Sequence, residues 1–136
     1  MTFTEAELAY LTEQPLGRLA TVHQDGSPQV NPVGFRINPD GTIDVGGFTM
    51  SASQKYRNVA ANGQAALVVD DIPSVNPWRV RCVEIRGTAE AVPGPRTDEG
   101  DPDGALIRIT PRRILSFGVE IPGEEPHAMT TNIRNV

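Results

Sequence analysis

Residues 48–59 read Phe48-Thr49-Met50-Ser51-Ala52-Ser53-Gln54-Lys55-Tyr56-Arg57-Asn58-Val59, the end of a β-strand that runs into the start of a helix. Ser51 and Gln54 have the S-x-x-Q spacing of a capping box, which predicts that the helix starts near residue 52. Backbone N–H groups, hydroxyls and Lys55, the only lysine of the chain, converge there and predict an anion site that suits phosphate. The alternative is a surface helix whose Lys55 and Arg57 point into water.

The residues before this stretch are typical of β-hairpins. Residues 17–23 and 28–37 form two extended segments, and the Asp25-Gly26 pair between them indicates a tight turn. Pro32 has no backbone N–H, so Asn31-Pro32 is expected at a sheet edge or at a bulge. A second turn at residues 38–41 leads to a third strand at 42–48.

The residues after the helix continue the β pattern. Gly63 is expected to end the helix in the left-handed conformation, and residues 64–70 then form a buried strand. Residues 78–92 predict a long strand with a bulge near Cys82 and Val83, where the apolar pattern changes phase. Two last strands, 105–110 and 113–119, are expected on either side of Pro111.

The N-terminal residues predict a second helix, because Thr4 and Glu7 have capping-box spacing and the helix must end before Pro15. Two helices and five to seven strands, connected mostly by hairpins, predict a mainly β, antiparallel barrel. We expect one domain over residues 1–136, with the N-terminal helix in 1–15, a mobile acidic loop at 93–104 and a C-terminal tail at 120–136.

Composition excludes several classes of function. A net charge of −5 argues against a nucleic-acid partner, and no apolar run is long enough to cross a membrane, so we expect a cytoplasmic protein. Cys82 is the single cysteine and is expected to be a packed hydrophobe, while His23 and His127 lie in unrelated contexts, so no metal site is expected. No acid, base or nucleophile stands out as a catalytic residue, which is typical of enzymes whose cofactor carries the reactive atom.

Several linked motifs resemble one family. The segments 19–22, 25–35, 53–59 and 66–70 are similar to the pyridoxamine 5'-phosphate oxidase-like flavin/deazaflavin oxidoreductases, and most similar to the branch that uses coenzyme F420. The resemblance implies the FMN-binding split β-barrel, antiparallel with one central and one N-terminal helix. It also implies a homodimer that holds the cofactor in a groove between its subunits.

The resemblance assigns residues to that groove. It implies a phosphate site at Thr49, Met50, Ser51, Ser53 and Lys55. The strand beside the cofactor ring would be Gln29, Asn31, Pro32, Val33 and Gly34, and Trp78 and Arg79 would reach the cofactor from the partner subunit. Many relatives have an arginine where this chain has Ser53, which leaves one cation fewer for the phosphate.

The implied activity is hydride transfer from reduced coenzyme F420 to a small conjugated organic acceptor, with no protein general acid. One alternative is a non-catalytic module that binds or sequesters flavin, deazaflavin, haem or a tetrapyrrole in the same groove. Another is an oxidoreductase that depends on FMN.

Overall fold

The strands form one antiparallel sheet in the computed structural model, which describes residues 2–94, 104–121, 123–125 and 128–136. Seven strands follow the order β2-β1-β5-β6-β7-β4-β3, and β8 pairs with β7. The strands are β1 Gly17–Val22, β2 Pro28–Val33, β3 Arg36–Ile37, β4 Ile43–Gly46, β5 Gln64–Ser74, β6 Arg79–Val92, β7 Leu106–Phe117 and β8 Thr131–Asn135; the helices are α1 Glu5–Glu13 and α2 Gln54–Asn62. The predicted mainly β, antiparallel fold with two helices is confirmed.

The sheet buries one face and leaves the other partly open. Alternate residues of each strand point to opposite faces, so Leu67 and Val69 of β5 are fully buried while Val68 between them is only half-buried. The buried face continues through Ile43 and Val45 of β4, which the sequence places on one face as observed. The core is therefore aliphatic and lies inside the curved sheet.

The two helices cover opposite ends of this core. Glu7 of α1 accepts a hydrogen bond from Ser116 near the end of β7, at 2.6 Å. At the other end, Ala89 of β6 donates its N–H to the carbonyl of Gly63, the residue that ends α2. The predicted capping box of Thr4 and Glu7 is confirmed in α1, and Gly63 ends α2 at φ 68° as predicted.

The start of α2 differs from the prediction. Residues Met50–Ala52 form a 3₁₀ turn, and the N-cap of α2 is Ser53, whose Oγ accepts a hydrogen bond from the N–H of Tyr56. The predicted cap at Ser51 and helix start near residue 52 are therefore wrong. The reason is local, because the 3₁₀ turn uses the N–H groups of Ala52 and Ser53 on the carbonyls of Thr49 and Met50.

Three strand predictions also need correction. Register is continuous through Cys82 and Val83, so no bulge lies there; the irregularities fall between Asp71 and Ser74 and between Arg86 and Gly87. Residues 105–119 contain one strand rather than two, and Pro111 lies opposite Gly87 beside the second irregularity. The expected tail contains β8, which pairs with β7.

Other predictions concern the sheet edge and the loop. Pro32 lies in β2, the strand at one end of the sheet order, so its missing N–H costs no ladder bond on the open side, and the edge prediction is confirmed. The loop predicted at residues 93–104 lies, apart from its ends, outside the described residues. Within the described residues, no helix is long and apolar enough to cross a membrane.

Candidate cofactor site

Lys55 is the second residue of α2 and differs from its neighbouring cation. Its side chain is half-buried and has no hydrogen-bond or ion-pair partner among the described residues. Arg57, by contrast, donates from Nη1 to the carbonyl of Ala52 at 2.7 Å and from Nη2 to Oε1 of Gln54 at 2.9 Å. A partly buried ammonium without a counter-charge is unfavourable beside a helix N-terminus, so Lys55 marks a place where an anion would be stabilising.

The other residues of the predicted phosphate site precede Lys55 in sequence and differ in burial and in hydrogen bonding. Ser53 caps the helix and also donates from Oγ to the carbonyl of Met50 at 2.6 Å. The Met50 side chain is buried in the core, so only its backbone is available for binding at this position. Thr49 and Ser51 are exposed on either side of it. The first two N–H groups of α2 have no partner inside the helix and complete a set of donors.

The predicted ring strand β2 contributes two polar side chains to the same side of the sheet. Gln29 and Asn31 pair with Thr21 and Leu19, which both face the core, and Gln29 Nε2 donates to Asn31 Oδ1 at 2.6 Å. On that side, Nδ2 of the buried Asn58 in α2 donates to Thr21 Oγ1 at 3.0 Å. The Thr21 contact thus holds α2 against β1, the strand that pairs with β2.

The remaining residues of the predicted ring strand have different surroundings. Val33 is part of the core, whereas Pro32 faces the outer side of the sheet. Gly34, which directly follows β2, lines a cavity of about 420 Å³ together with Gly46 and Gly47 at the end of β4. A Cβ atom at Gly34 or Gly46 would meet no atom within 4 Å. A flat ligand could therefore approach the backbone closely at this point.

A buried carboxylate in the cavity wall is neutralised by arginines. Arg108 binds both Asp44 oxygens, at 2.9 and 3.1 Å, and Arg36 adds a longer contact at 3.4 Å. The hydrogen bonds from Arg108 hold the pKa of Asp44 below its usual range, although burial opposes them. The Asp44 charge is therefore already compensated. The sequence analysis missed this cluster, although Arg36 and Asp44 face each other across the predicted turn at residues 38–41.

Trp78 and Arg79 lie elsewhere in the chain. Continuing the β1–β5 register by one residue places Thr21 opposite Ala65, which pairs with Gly87 of β6. Arg79 is eight residues from Gly87 along β6, a distance of about 25 Å at roughly 3.3 Å per residue. Arg79 instead donates to the carbonyl of Glu124 at 3.0 Å and to the Glu125 carboxylate at 3.3 Å. One chain therefore does not bring Trp78 and Arg79 together with Lys55.

Cys82 and the acidic residues give no sign of other chemistry. Cys82 is buried, as predicted, and burial raises the pKa of its thiol to about 11, which makes it a poor nucleophile. No group of three or more His, Cys, Asp or Glu residues among those described is arranged to hold a metal ion.

Comparison with known proteins decides the family. The family model for pyridoxamine 5'-phosphate oxidase matches residues 3–117. The chain belongs to the pyridoxamine 5'-phosphate oxidase family. This family member is 48% identical over 122 residues to a 5a,11a-dehydrotetracycline/5a,11a-dehydrooxytetracycline reductase of Streptomyces rimosus, covering 88% of this chain and 86% of the relative.

Solved structures agree with the family assignment. An F420 reductase superposes with a TM-score of 0.57 at 32% identity, covering 74% of this chain and 90% of that one. A pyridoxamine 5'-phosphate oxidase-like protein of Listeria innocua has a TM-score of 0.61 at 20% identity, covering 79% and 91%, which supports the fold alone. This member of the pyridoxamine 5'-phosphate oxidase family is therefore an oxidoreductase with a small-molecule substrate and a flavin or deazaflavin cofactor.

Proposed function

We propose that the enzyme uses coenzyme F420 to transfer a hydride to a small conjugated organic acceptor. The observation that carries the proposal is Lys55, a half-buried cation without a partner among the described residues, at the start of α2. The F420 reductase at 32% identity supports the choice of cofactor. The reductase of Streptomyces rimosus supports the choice of reaction.

The residues present fit such a cofactor. Lys55 would neutralise a phosphate, with the hydroxyls of Thr49 and Ser51, the Met50 backbone and the first N–H groups of α2 as further donors. Ser53 would contribute as the N-cap that holds the helix start in place. Gln29, Asn31 and Val33, with Pro32 and Gly34, would border the ring, and the open space at Gly34 and Gly46 leaves room for a flat group. Trp78 and Arg79 of a second chain would close the groove.

When bound and reduced, the deazaflavin supplies a hydride, which adds two electrons to the acceptor. The chain's own residues hold the acceptor and cofactor in contact, exclude water and neutralise the phosphate. The described residues of the cradle, Gln29, Asn31 and Lys55 among them, include no histidine, and the Asp44 carboxylate of the adjoining cavity is paired with Arg108. Solvent or a cofactor oxygen would therefore supply the proton that completes the reduction.

The proposed acceptor is a conjugated carbon–carbon double bond in a fused-ring compound. The name of the Streptomyces rimosus reductase describes a substrate with a double bond between carbons 5a and 11a of a tetracyclic skeleton. Addition of a hydride and a proton across that bond gives the saturated product. This chain, at 48% identity, would act on the same class of electrophile.

A homodimer is part of the proposal. The outer face of the sheet carries apolar residues that no element of the described chain covers, including Val30 at 64% and Ile133 at 47% exposure. Val68, Leu115 and Phe117 are half-buried between them. A second copy of this face would cover them.

We expect the dimer to work in the cytoplasm, since the single cysteine needs no oxidising compartment.

Separate titrations with coenzyme F420 and FMN test the cofactor. We expect F420 to bind more tightly, and failure of both to bind below about 100 μM would contradict the proposal. Tight FMN binding without F420 binding would instead support an FMN-dependent oxidoreductase. Tight binding without reduction of 5a,11a-dehydrotetracycline or any other acceptor would support a non-catalytic binding module.

Lys55 can be tested directly. Lys55→Ala should weaken cofactor binding by about 1.5–3 kcal/mol, the contribution of a charge-assisted hydrogen bond, which is roughly a 10- to 150-fold rise in Kd. Arg57→Ala also removes one positive charge, two residues further along the helix. It should leave Kd nearly unchanged, because the Arg57 guanidinium already donates to the Ala52 carbonyl and to Gln54. Equal losses in the two variants would refute a specific role for Lys55.

A further inference from the structure

We infer that Asn58 is a positioning residue for the cofactor cradle, because it fixes the first turn of α2 against β1 and so sets where Lys55 points. The inference rests on the proposed function, to which it adds the residue that sets the geometry of the phosphate site. Asn58 is only 2% exposed. It therefore acts through the helix that carries Lys55.

The polar contact between α2 and β1 is buried on both sides. Thr21 and Asn58 are each 2% exposed, and Asn58 Nδ2 donates to Thr21 Oγ1 at 3.0 Å. Such a pair adds little net stability, because apolar groups of the same shape can be about as stable. A hydrogen bond does, however, require a narrow range of distance and angle. The pair therefore specifies how α2 sits on β1 more than it strengthens the contact.

A chain of hydrogen bonds gives each amide in this contact one orientation. Arg57 can only donate, and its Nη2 donates to Gln54 Oε1 at 2.9 Å. Gln54 Nε2 therefore faces Asn58 and donates to its Oδ1 at 2.7 Å, which leaves Asn58 Nδ2 for Thr21. The bond of the exposed Arg57 adds little by itself, since Asn58 and Thr21 remain paired without it.

Lys55 and Asn58 move together, since they lie three residues apart on neighbouring positions of the helix surface. A helix with its side chains has a radius of about 5–6 Å, so a rotation of about 10° around the axis displaces a side-chain end by about 1 Å. That displacement exceeds the spread of normal N–H···O distances, about 2.7–3.2 Å. Loss of the Asn58 bond would therefore misplace the Lys55 ammonium.

The other end of α2 is anchored independently. Asn62 Nδ2 donates to the Val22 carbonyl at 2.7 Å, and the N–H of Ala89 donates to the Gly63 carbonyl at 2.8 Å. Neither bond involves Asn58. We therefore expect Asn58→Ala to loosen the first turn of α2 and to leave the rest of the helix in place.

A double-mutant cycle tests whether Asn58 acts through Lys55. Asn58→Ala should raise the Kd of coenzyme F420 roughly tenfold, because a misplaced ammonium loses most of its charge-assisted bond. In a Lys55→Ala background the same change should raise Kd less than about threefold, because the group to be positioned is absent. Calorimetric titration of the four proteins measures this. Equal fold-increases in the two backgrounds would overturn the inference.

Substitutions at Thr21 test the contact without changing the helix. Thr21→Val keeps the shape of the side chain and removes the acceptor, whereas Thr21→Ser retains the hydroxyl. We expect Thr21→Val to raise the Kd of coenzyme F420 roughly fivefold or more and Thr21→Ser to leave it within about twofold. The same Kd for both variants would contradict a role for this bond.

Glu7→Gln controls for a general loss of stability. Glu7 binds Ser116 at the end of the core opposite α2, so this variant should unfold at lower urea concentration and still bind coenzyme F420 within about twofold of the wild type. If its Kd rises as much as that of Asn58→Ala, cofactor binding follows stability alone, and the positioning role is refuted.

Hydrogen exchange tests the helix start in the cofactor-free protein. The N–H groups of Tyr56 and Arg57 bond to Ser53 in the first turn of α2. Asn58→Ala should speed their exchange roughly tenfold or more and leave the amides of α1 unchanged. Wild-type exchange at Tyr56 and Arg57 in this variant would overturn the inference.

The outcomes separate this inference from the proposed function. If the wild type binds neither coenzyme F420 nor FMN, the proposed function fails, and the positioning role fails with it. If the wild type binds F420 and Lys55→Ala weakens that binding, but Asn58→Ala and Thr21→Val bind as tightly as the wild type, only the positioning role fails.

Discussion

Glu7 offers the sharpest test of how this fold is held together. Its carboxylate is fully buried and accepts hydrogen bonds from the N–H of Thr4 at 2.9 Å and from Ser116 Oγ at 2.6 Å. Arg134 of β8 adds two more, at 2.5 and 3.0 Å. One residue thus joins α1, β7 and β8. Glu7→Gln keeps the shape of the side chain and removes its charge.

The size of the effect follows from this burial. Breaking a buried ion pair by removing one partner costs about 3–5 kcal/mol, because the other charge is left uncompensated. Arg134 is 26% exposed and can regain some water, and glutamine keeps one acceptor, so we expect a loss of about 2–4 kcal/mol in the free energy of unfolding. With an m-value of about 2 kcal/mol/M, the urea midpoint should fall by roughly 1–2 M.

Urea unfolding followed by circular dichroism measures this change. Glu5→Gln is the control, since Glu5 is exposed on the same helix. It should change the free energy of unfolding by less than about 0.5 kcal/mol. Replacement of both partners, Glu7→Gln with Arg134→Met, should recover part of the loss, because no buried charge remains unpaired. A midpoint for Glu7→Gln that matches Glu5→Gln would refute the reasoning.

The pH dependence gives an independent check. Burial raises the pKa of Glu7, but the bonds from Arg134, Ser116 and Thr4 together lower it further, so the pKa lies below its ordinary value. A carboxyl whose pKa is lowered by folding stabilises the protein above its unfolded pKa of about 4.3, and this contribution is lost as pH falls through the lower folded value. The urea midpoints of wild type and Glu7→Gln should therefore converge below about pH 4.

Two further predictions concern single positions. Gly87→Ala should lower the free energy of unfolding by about 1–3 kcal/mol in urea, because a Cβ would overlap the backbone carbonyl of Thr110, whereas Gly46→Ala, with open space around it, should change it little; equal effects would contradict this contrast. Cys82 should react with a thiol reagent at pH 8 only after unfolding in urea, since its thiol is buried with a pKa of about 11, and rapid labelling of the native protein would contradict its burial.

Local chemistry made much of the fold predictable. The capping box of Thr4 and Glu7 and the stop at Gly63 each depend on residues close in sequence, and each is observed. Pro32 was placed at an edge because its missing N–H excludes a central position. Features that depend on distant residues were missed. β8 has one large apolar residue, Ile133, and its pairing with β7 is reinforced by contacts between Arg134 and Glu7, 127 residues away.

The candidate site was predictable to the same extent. Lys55 stood out as the only lysine beside a helix start, and the structure leaves it without a partner among the described residues. The cap was wrongly predicted at Ser51 because the S-x-x-Q spacing points to that residue. The observed N-cap, Ser53, accepts a hydrogen bond from the backbone N–H of Tyr56. The pair of Asp44 with Arg108 joins residues 64 apart, so no local spacing reveals it.

The contacts of Glu7 connect the stability of the fold to a cavity of about 370 Å³ beneath α1. Helix α1 supplies Ala6, Ala9 and Tyr10 to the cavity. Glu7 of the same helix binds Ser116 of β7 and Arg134 of β8. Tyr10 cannot position itself through Asp71 unless α1 keeps its place. The buried ion pair therefore fixes a wall of the cavity, while Lys55 and α2, at the other end of the sheet, depend on Thr21 and Asn58 instead. The fold thus holds the cavity beneath α1 and the candidate cofactor site by separate sets of contacts.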